Sequence, residues 1–215
     1  MENIIKGCDG IILDIDGTLW DSTQVCAIGY NKAISRLLGE DYPHCDGAKL
    51  KTLFGKTTAG IGAGLFPDRT EQEQYDFTME CIREEMICLH RTPPRPYEGV
   101  RQALSRIREN IDLFIVSNCE SGYIELFMES CGLEDCIKDH LCPGDTGFDK
   151  KGNILEIIRR YDLKQAVYVG DVQTDAEAAH GAGIPIIYAS YGFGQIKDAE
   201  YRIDRPDQLP GLFGI

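Results

Sequence analysis

From Val100 onward, short apolar runs alternate with stretches whose apolar residues recur at helical spacing. "IDLFIVSN", "IKDHLC", "AVYVGD" and "IPIIYAS" read as strands, with "AEYRI" as a last one. Val100, Ala103, Leu104 and Ile107 mark one intervening helix, and Ile124, Phe127, Met128 and Cys131 a second. Ile154, Leu155, Ile158 and Tyr161 mark a third, "TDAEAAHGAG" forms a fourth, and a short helix is expected near the C-terminus. Earlier in the chain, "GIILDI" is a strand with apolar residues on both faces, as a buried parallel sheet requires. Such alternation predicts an α/β fold: a doubly wound parallel sheet, Rossmann-like, with helices on both faces.

The alternation is interrupted once. From Trp20 to about Pro94 the pattern is helical and polar-faced. Val25, Ile28, Leu37 and Leu38 fit one amphipathic helix, and Phe77, Cys81, Ile82, Met86 and Leu89 another. "TTAGIGAGLFPD" reads as a loop between them, with Thr57, Thr58 and glycines 60, 62 and 64 near an opening. "RTPPRPYEGV" reads as a linker, because stacked prolines stop a helix. The expected organisation is an α/β core of residues 1–19 and 95–215 carrying a small helical cap, residues 20–94.

In an open parallel sheet, ligands bind outside the carboxyl ends of the strands. Asp14 and Asp16 end "IILDID", Ser117 and Asn118 end "LFIVSN", and Asp171 ends "VYVGD", with Asp175 one helical turn beyond. Taken singly, each has a plain structural reading. Asp-Xaa-Asp-Gly suits a turn. Thr174 and Glu177 fit a capping box, with Asp175 suiting the helix dipole. Lys150 and Lys151 suit a solvated surface. Their convergence on one sheet edge is the signal. Carboxylates so close together need compensation. A hard divalent cation bound through oxygen, magnesium above all, would supply it, along with a lysine and the Ser117 hydroxyl. Gly17 and Gly170, lacking Cβ, would let backbone and ligand approach closely. That combination suits a phosphate and phosphoryl transfer.

The overall balance of charge narrows the partners. Net charge is −13 and the sequence pI about 4.7. Nucleic acid and anionic membrane both need basic surface, so neither is expected, whereas a small phosphorylated metabolite needs only a local positive site. No apolar run reaches the length of a membrane span, and "MENIIKGCDG" lacks the apolar segment of a secretory signal, so a cytoplasmic location is expected. Nine cysteines without a CxxC pair, and four scattered histidines, read as buried small hydrophobes in a reducing compartment rather than a zinc site. A calcium loop from Asp14 would need glycine where Leu19 stands and glutamate where Val25 stands. "FGKT" would need a glycine at Leu50 to be a phosphate loop, and "YASYG" has Tyr188 where a serine-hydrolase elbow has glycine.

The four polar segments also carry a resemblance. "DIDGTLWDS", "IVSN", a lysine before "GNIL", and "YVGDVQTDAEAAHGAGIP" resemble, in order, the four motifs of the haloacid dehalogenase superfamily. "YASYGFG" is similar to the phosphoglycolate-phosphatase-like branch. The resemblance spans the core and weakens across residues 20–94, where such families carry a variable cap. It implies a magnesium-dependent phosphatase acting on a small phosphomonoester. Asp14 would be the nucleophile that becomes an aspartyl-phosphate, and Asp16 the general acid and then base. Asp14, the backbone carbonyl of Asp16, and Asp171 would hold magnesium, supported by Asp175. Ser117 and the lysine would bind the transferred phosphoryl group, Asn118 would orient the site, and Thr18 would position Asp16 or the phosphate. Counting to Asn153 and Ile154 favours Lys150 over Lys151. A sugar phosphomutase would keep both aspartates and is the alternative. A phospho-acceptor receiver domain is less favoured, because receivers place the accepting aspartate on a middle strand and lack a large insertion after the first.

Overall fold

The computed structural model describes residues 5–215. Residues 1–4, which begin both the 1–19 segment and the stretch read for a signal, lie outside the described residues. Six strands form one sheet: β1 (Gly10–Leu13), β2 (Asp112–Val116), β3 (Asp139–Leu141), β4 (Ala166–Gly170), β5 (Ile186–Ala189) and β6 (Tyr201–Ile203). Its order is β3-β2-β1-β4-β5-β6, and every pairing is parallel. This is the doubly wound sheet that the alternation predicts. The chain runs outward from β1 through β2 to β3, then crosses back to β4 on the other side. Strand alternation feeds two cores. Ile11, Leu13, Leu113, Ile115, Val167 and Val169 join one, while Ile12, Phe114, Val116 and Tyr168 join the other. Burial on both faces is why these strands read as nearly continuous apolar runs.

Four helices separate β1 from the rest: α1 (Thr23–Leu38), α2 (Gly47–Lys51), α3 (Thr58–Leu65) and α4 (Glu71–Arg91). α5 (Val100–Ile107), α6 (Tyr123–Cys131), α7 (Pro143–Thr146), α8 (Lys150–Tyr161) and α9 (Gln173–Gly181) follow. The four apolar residues expected to mark α5, and the four expected to mark α6, are all buried. Trp20 sits where the inserted segment leaves the sheet: it bridges to both Asp16 and Pro96, so the outgoing and returning strands of chain lie side by side. None of the described helices is long and apolar enough to cross a membrane. All nine cysteines are free, seven of them buried.

The local readings fail in four places. α1 buries Thr23, Cys26, Ala27, Gly29, Tyr30, Ala33 and Ile34, while Ile28 is 55% exposed. The face that packs combines Tyr30 and Ile34 with small residues, and at Gly29 α4 lies too close for any side chain. A Cβ on Gly29 would sit 2.6 Å from the Glu85 backbone nitrogen. The stretch expected as a loop at residues 57–68 contains α3, capped by the Thr57 hydroxyl accepting from the Gly60 N–H at 3.2 Å. Its Gly62 is a packing residue, since a Cβ there would meet the Gln74 carbonyl at 2.9 Å. α8 begins at Lys150, earlier than "GNIL", and buries Ile157 rather than Leu155. The expected short C-terminal helix is two 3-10 turns, each started by a proline, Pro206 and Pro210.

Candidate active site

The carboxyl edge of β1, β2 and β4 brings the polar strand ends together. Asp14 follows β1 and is locked by its N–H to the Val169 carbonyl at 2.9 Å. One carboxylate oxygen from each of Asp14, Asp171 and Asp175 lies within 4.8 Å of the others, and all three residues are buried. Lys150 enters from the first turn of α8, whose N-cap Asp149 accepts from the Gly152 N–H. Its ammonium donates to Asp14 at 3.1 Å and to Asp175 at 2.6 Å, and it is buried, while Lys151 is exposed. Of the two candidate lysines, Lys150 therefore reaches the carboxylates.

The capping box that Thr174 and Glu177 would make on the plain structural reading does not form. The N-cap of α9 is Val172, two residues earlier, and Asp175 caps the helix, accepting from the Asp171 and Val172 N–H groups at 3.0 and 3.2 Å. Gly17 lies at φ 82°, and a Cβ there would fall 2.1 Å from Asp171 Oδ2. It is thus a protein carboxylate that uses the space at Gly17. At Gly170 too it is Asp175 that closes in, 2.4 Å from where a Cβ would stand.

Three buried carboxylates face one ammonium, and the imbalance shows in their proton affinity. Burial first, then Asp175 and Asp14, pushes the Asp171 carboxyl up. Burial also raises Asp14, with Lys150 opposing and Asp175 adding, while the Ser117 hydroxyl favours the ionised form. Lys150 is held well above its ordinary value because the pull of Asp14 and Asp175 outweighs its desolvation. An all-oxygen donor set with surplus negative charge fits a hard divalent cation such as magnesium.

Asp16 points elsewhere. Its carboxylate accepts from Trp20 Nε1 at 3.0 Å, from the Ser22 hydroxyl, and from the Tyr123 hydroxyl at 2.8 Å to Oδ2. It is not in the acidic cluster, so only its backbone carbonyl is left as the donor expected of it. Burial raises Asp16 to about 7, with the Ser22 and Tyr123 bonds opposing and Asp14 adding. A carboxyl poised there can give and take a proton near neutrality.

Two expected site residues lie differently from their sequence readings. Thr18 is fully buried, and its hydroxyl faces Asp171 at 3.5 Å rather than Asp16 or the cavity. Asn118 lines the cavity, but its side-chain amide donates to the Gly55 carbonyl at 3.0 Å, tying the β2 end to the inserted segment. Thr174 donates to the same carbonyl at 3.3 Å.

A cavity of about 40 Å³ lies over Asp14 and Asp16, between the β2 end and α1, α3 and α4. Residues 11–189 match the family model of the haloacid dehalogenase-like hydrolases. The chain belongs to that family.

This haloacid dehalogenase-like hydrolase is 29% identical over 201 residues to the phosphoglycolate phosphatase of Rhodospirillum rubrum, covering 85% of this chain and 80% of that one. Among solved structures, a hydrolase of the same family from Streptococcus pneumoniae superposes with a TM-score of 0.84 at 15% identity, over 97% of this chain and all of that one. A protein described as a predicted phosphoglycolate phosphatase from Haemophilus somnus gives 0.80 at 20% identity, over 94% and 96%. At these identities the superpositions speak for the fold. Tyr123, Ser22 and Glu85 of the hydrolase were not singled out from sequence. Tyr123 and Ser22 reach Asp16 across the fold, and no local pattern marks them. Glu85 had a signal: it stands in the buried register of α4 with Thr78, Cys81, Cys88 and Leu89.

Proposed function

We propose that this hydrolase is a magnesium-dependent phosphatase that cleaves a small phosphomonoester through an aspartyl-phosphate on Asp14. The observation that carries the reading is the difference in surroundings between the two aspartates. Asp14 sits among carboxylates and Lys150, whereas Asp16 is held apart by Trp20, Ser22 and Tyr123 and raised to about 7. A carboxylate of Asp14 attacks phosphorus in line, and the bond to the leaving oxygen breaks as Asp16 donates its proton to that oxygen. Asp16 then takes a proton from water, which attacks the same phosphorus and releases phosphate and Asp14. Lys150 and Ser117 bind and orient the transferred group, and Lys150 offsets charge that grows on it. Magnesium held by Asp14, Asp171 and the Asp16 carbonyl, with Asp175 in support, would neutralise the remaining charge. Residues 20–94 act as a cap that excludes water. The setting is the cytoplasm, and the names of the relatives make phosphoglycolate the first substrate to try.

The test is phosphate release from a generic aryl phosphate, with magnesium and with chelator. Asp14→Asn is expected to lower turnover by at least about a thousandfold, and chelation to abolish it. Free phosphate rather than an isomerised sugar phosphate is the expected product. Activity that survives complete removal of divalent metal, or that is unchanged in Asp14→Asn, overturns the mechanism.

A further inference from the structure

The wall of the cavity opposite Asp14 carries no positive charge. Among the described residues that line it there is no lysine, arginine or histidine. Instead α4 presents Glu85, 5% exposed, whose Oε2 has no hydrogen-bond partner. A second carboxylate on the rim, Glu120, is engaged by the Thr58 hydroxyl at 2.8 Å. The position of Glu85 is built in. Without a side chain at Gly29, α1 lets the α4 backbone come close enough to hold Glu85 beside Asp16. Its neighbours Tyr30 and Cys26 on α1 favour its ionised form, while burial and Asp16 disfavour it. A buried carboxyl oxygen left without a partner costs free energy, so Oε2 calls for a donor from the ligand.

We propose that the alcohol released from the phosphomonoester is uncharged or cationic and carries a hydrogen-bond donor, a hydroxyl or an ammonium, which bonds Glu85. The inference rests on the phosphatase reading and sharpens its substrate class. Such a donor finds an acceptor on Glu85 whether that carboxyl is ionised or protonated. An anionic alcohol such as glycolate would have to bury its charge against a wall with no cation facing it, which is costly whether or not the neighbouring carboxyls are protonated. The small cavity, against about 300–1,000 Å³ for typical ligand sites, suits a leaving group of a few atoms.

A matched series decides between the classes: phosphoglycolate, 2-hydroxyethyl phosphate, 2-aminoethyl phosphate and ethyl phosphate. They differ only at the group that meets Glu85. For the wild-type enzyme with magnesium, kcat/KM is expected to be at least about tenfold higher for the hydroxyl or amino ester than for phosphoglycolate and ethyl phosphate. Glu85→Gln should shrink the preference of the hydroxyl and amino esters over phosphoglycolate. Phosphoglycolate as the best of the four, or a preference untouched by Glu85→Gln in a folded variant, overturns the substrate class and leaves the phosphatase reading standing. No phosphate release from any of the four or from the aryl ester overturns both. The wild-type series stands without the variant should Glu85→Gln fail to fold.

Discussion

Two carboxyl groups of this site meet different fates. Asp16 accepts from three donors, and Glu85 leaves one oxygen bare. Burial, with Asp16 adding, raises Glu85 from an ordinary 4.5 to about 8. The folded state therefore holds a proton that the unfolded chain releases. The contribution of this group to stability is full below pH 4.5 and is lost as pH rises toward 8. Glu85→Gln removes the titration, so thermal melts from pH 5 to 9 should show the variant gaining on the wild type by several degrees at the alkaline end. A constant difference between the two across that range would contradict this account. The same residue shows what sequence conveys at this scale. Asp14, Asp16 and Asp171 were legible because each ends an apolar run, and topology sends such ends to one edge. Glu85 was legible only as a charge in an apolar register. Tyr123, more than a hundred residues from Asp16, left no local trace.

At the scale of elements, the strands were easier to read than the inserted helices. A strand buried on both faces announces itself by unbroken hydrophobicity. α1 instead buries Tyr30 and Ile34 among Cys26, Ala27, Gly29 and Ala33, small residues that a hydrophobic pattern ranks low, while its Ile28 faces outward. The glycine-rich run of α3 looked like a loop because glycine weakens helices, yet contact with α4 outweighs that propensity. The close α1–α4 contact is testable. Gly29→Ala forces two backbones apart, since its Cβ would stand 2.6 Å from the Glu85 nitrogen. We expect a loss of about 1–3 kcal/mol in denaturant unfolding, together with a lower kcat/KM for the favoured ester because Glu85 moves. Unaltered stability would mean that the helices yield without cost.

For the whole molecule, the sheet edge gathers more negative charge than its single buried lysine can offset. Binding of a divalent cation to the folded state alone must raise stability in proportion to the logarithm of its concentration above Kd. The melting temperature is expected to climb with added magnesium, and Asp171→Asn to lose most of that climb. A melting temperature indifferent to magnesium in the wild type would count against the cation site. The comparison is independent of turnover, so it separates metal binding from catalysis.

The sheet order also governs how the chain comes together during synthesis. β1 emerges first but lies between β2 and β4, which follow it by roughly a hundred and a hundred and fifty residues. α1 and α4 pack on each other within the first 91 residues, so this pair can consolidate while β1 still lacks both neighbours. The nascent polypeptide would then carry an exposed apolar strand, already bearing Asp14 and Asp16, until α9 has left the ribosome. Pausing late in translation should therefore expose β1 to chaperones, and truncation before β4 should yield aggregates rather than a weak enzyme.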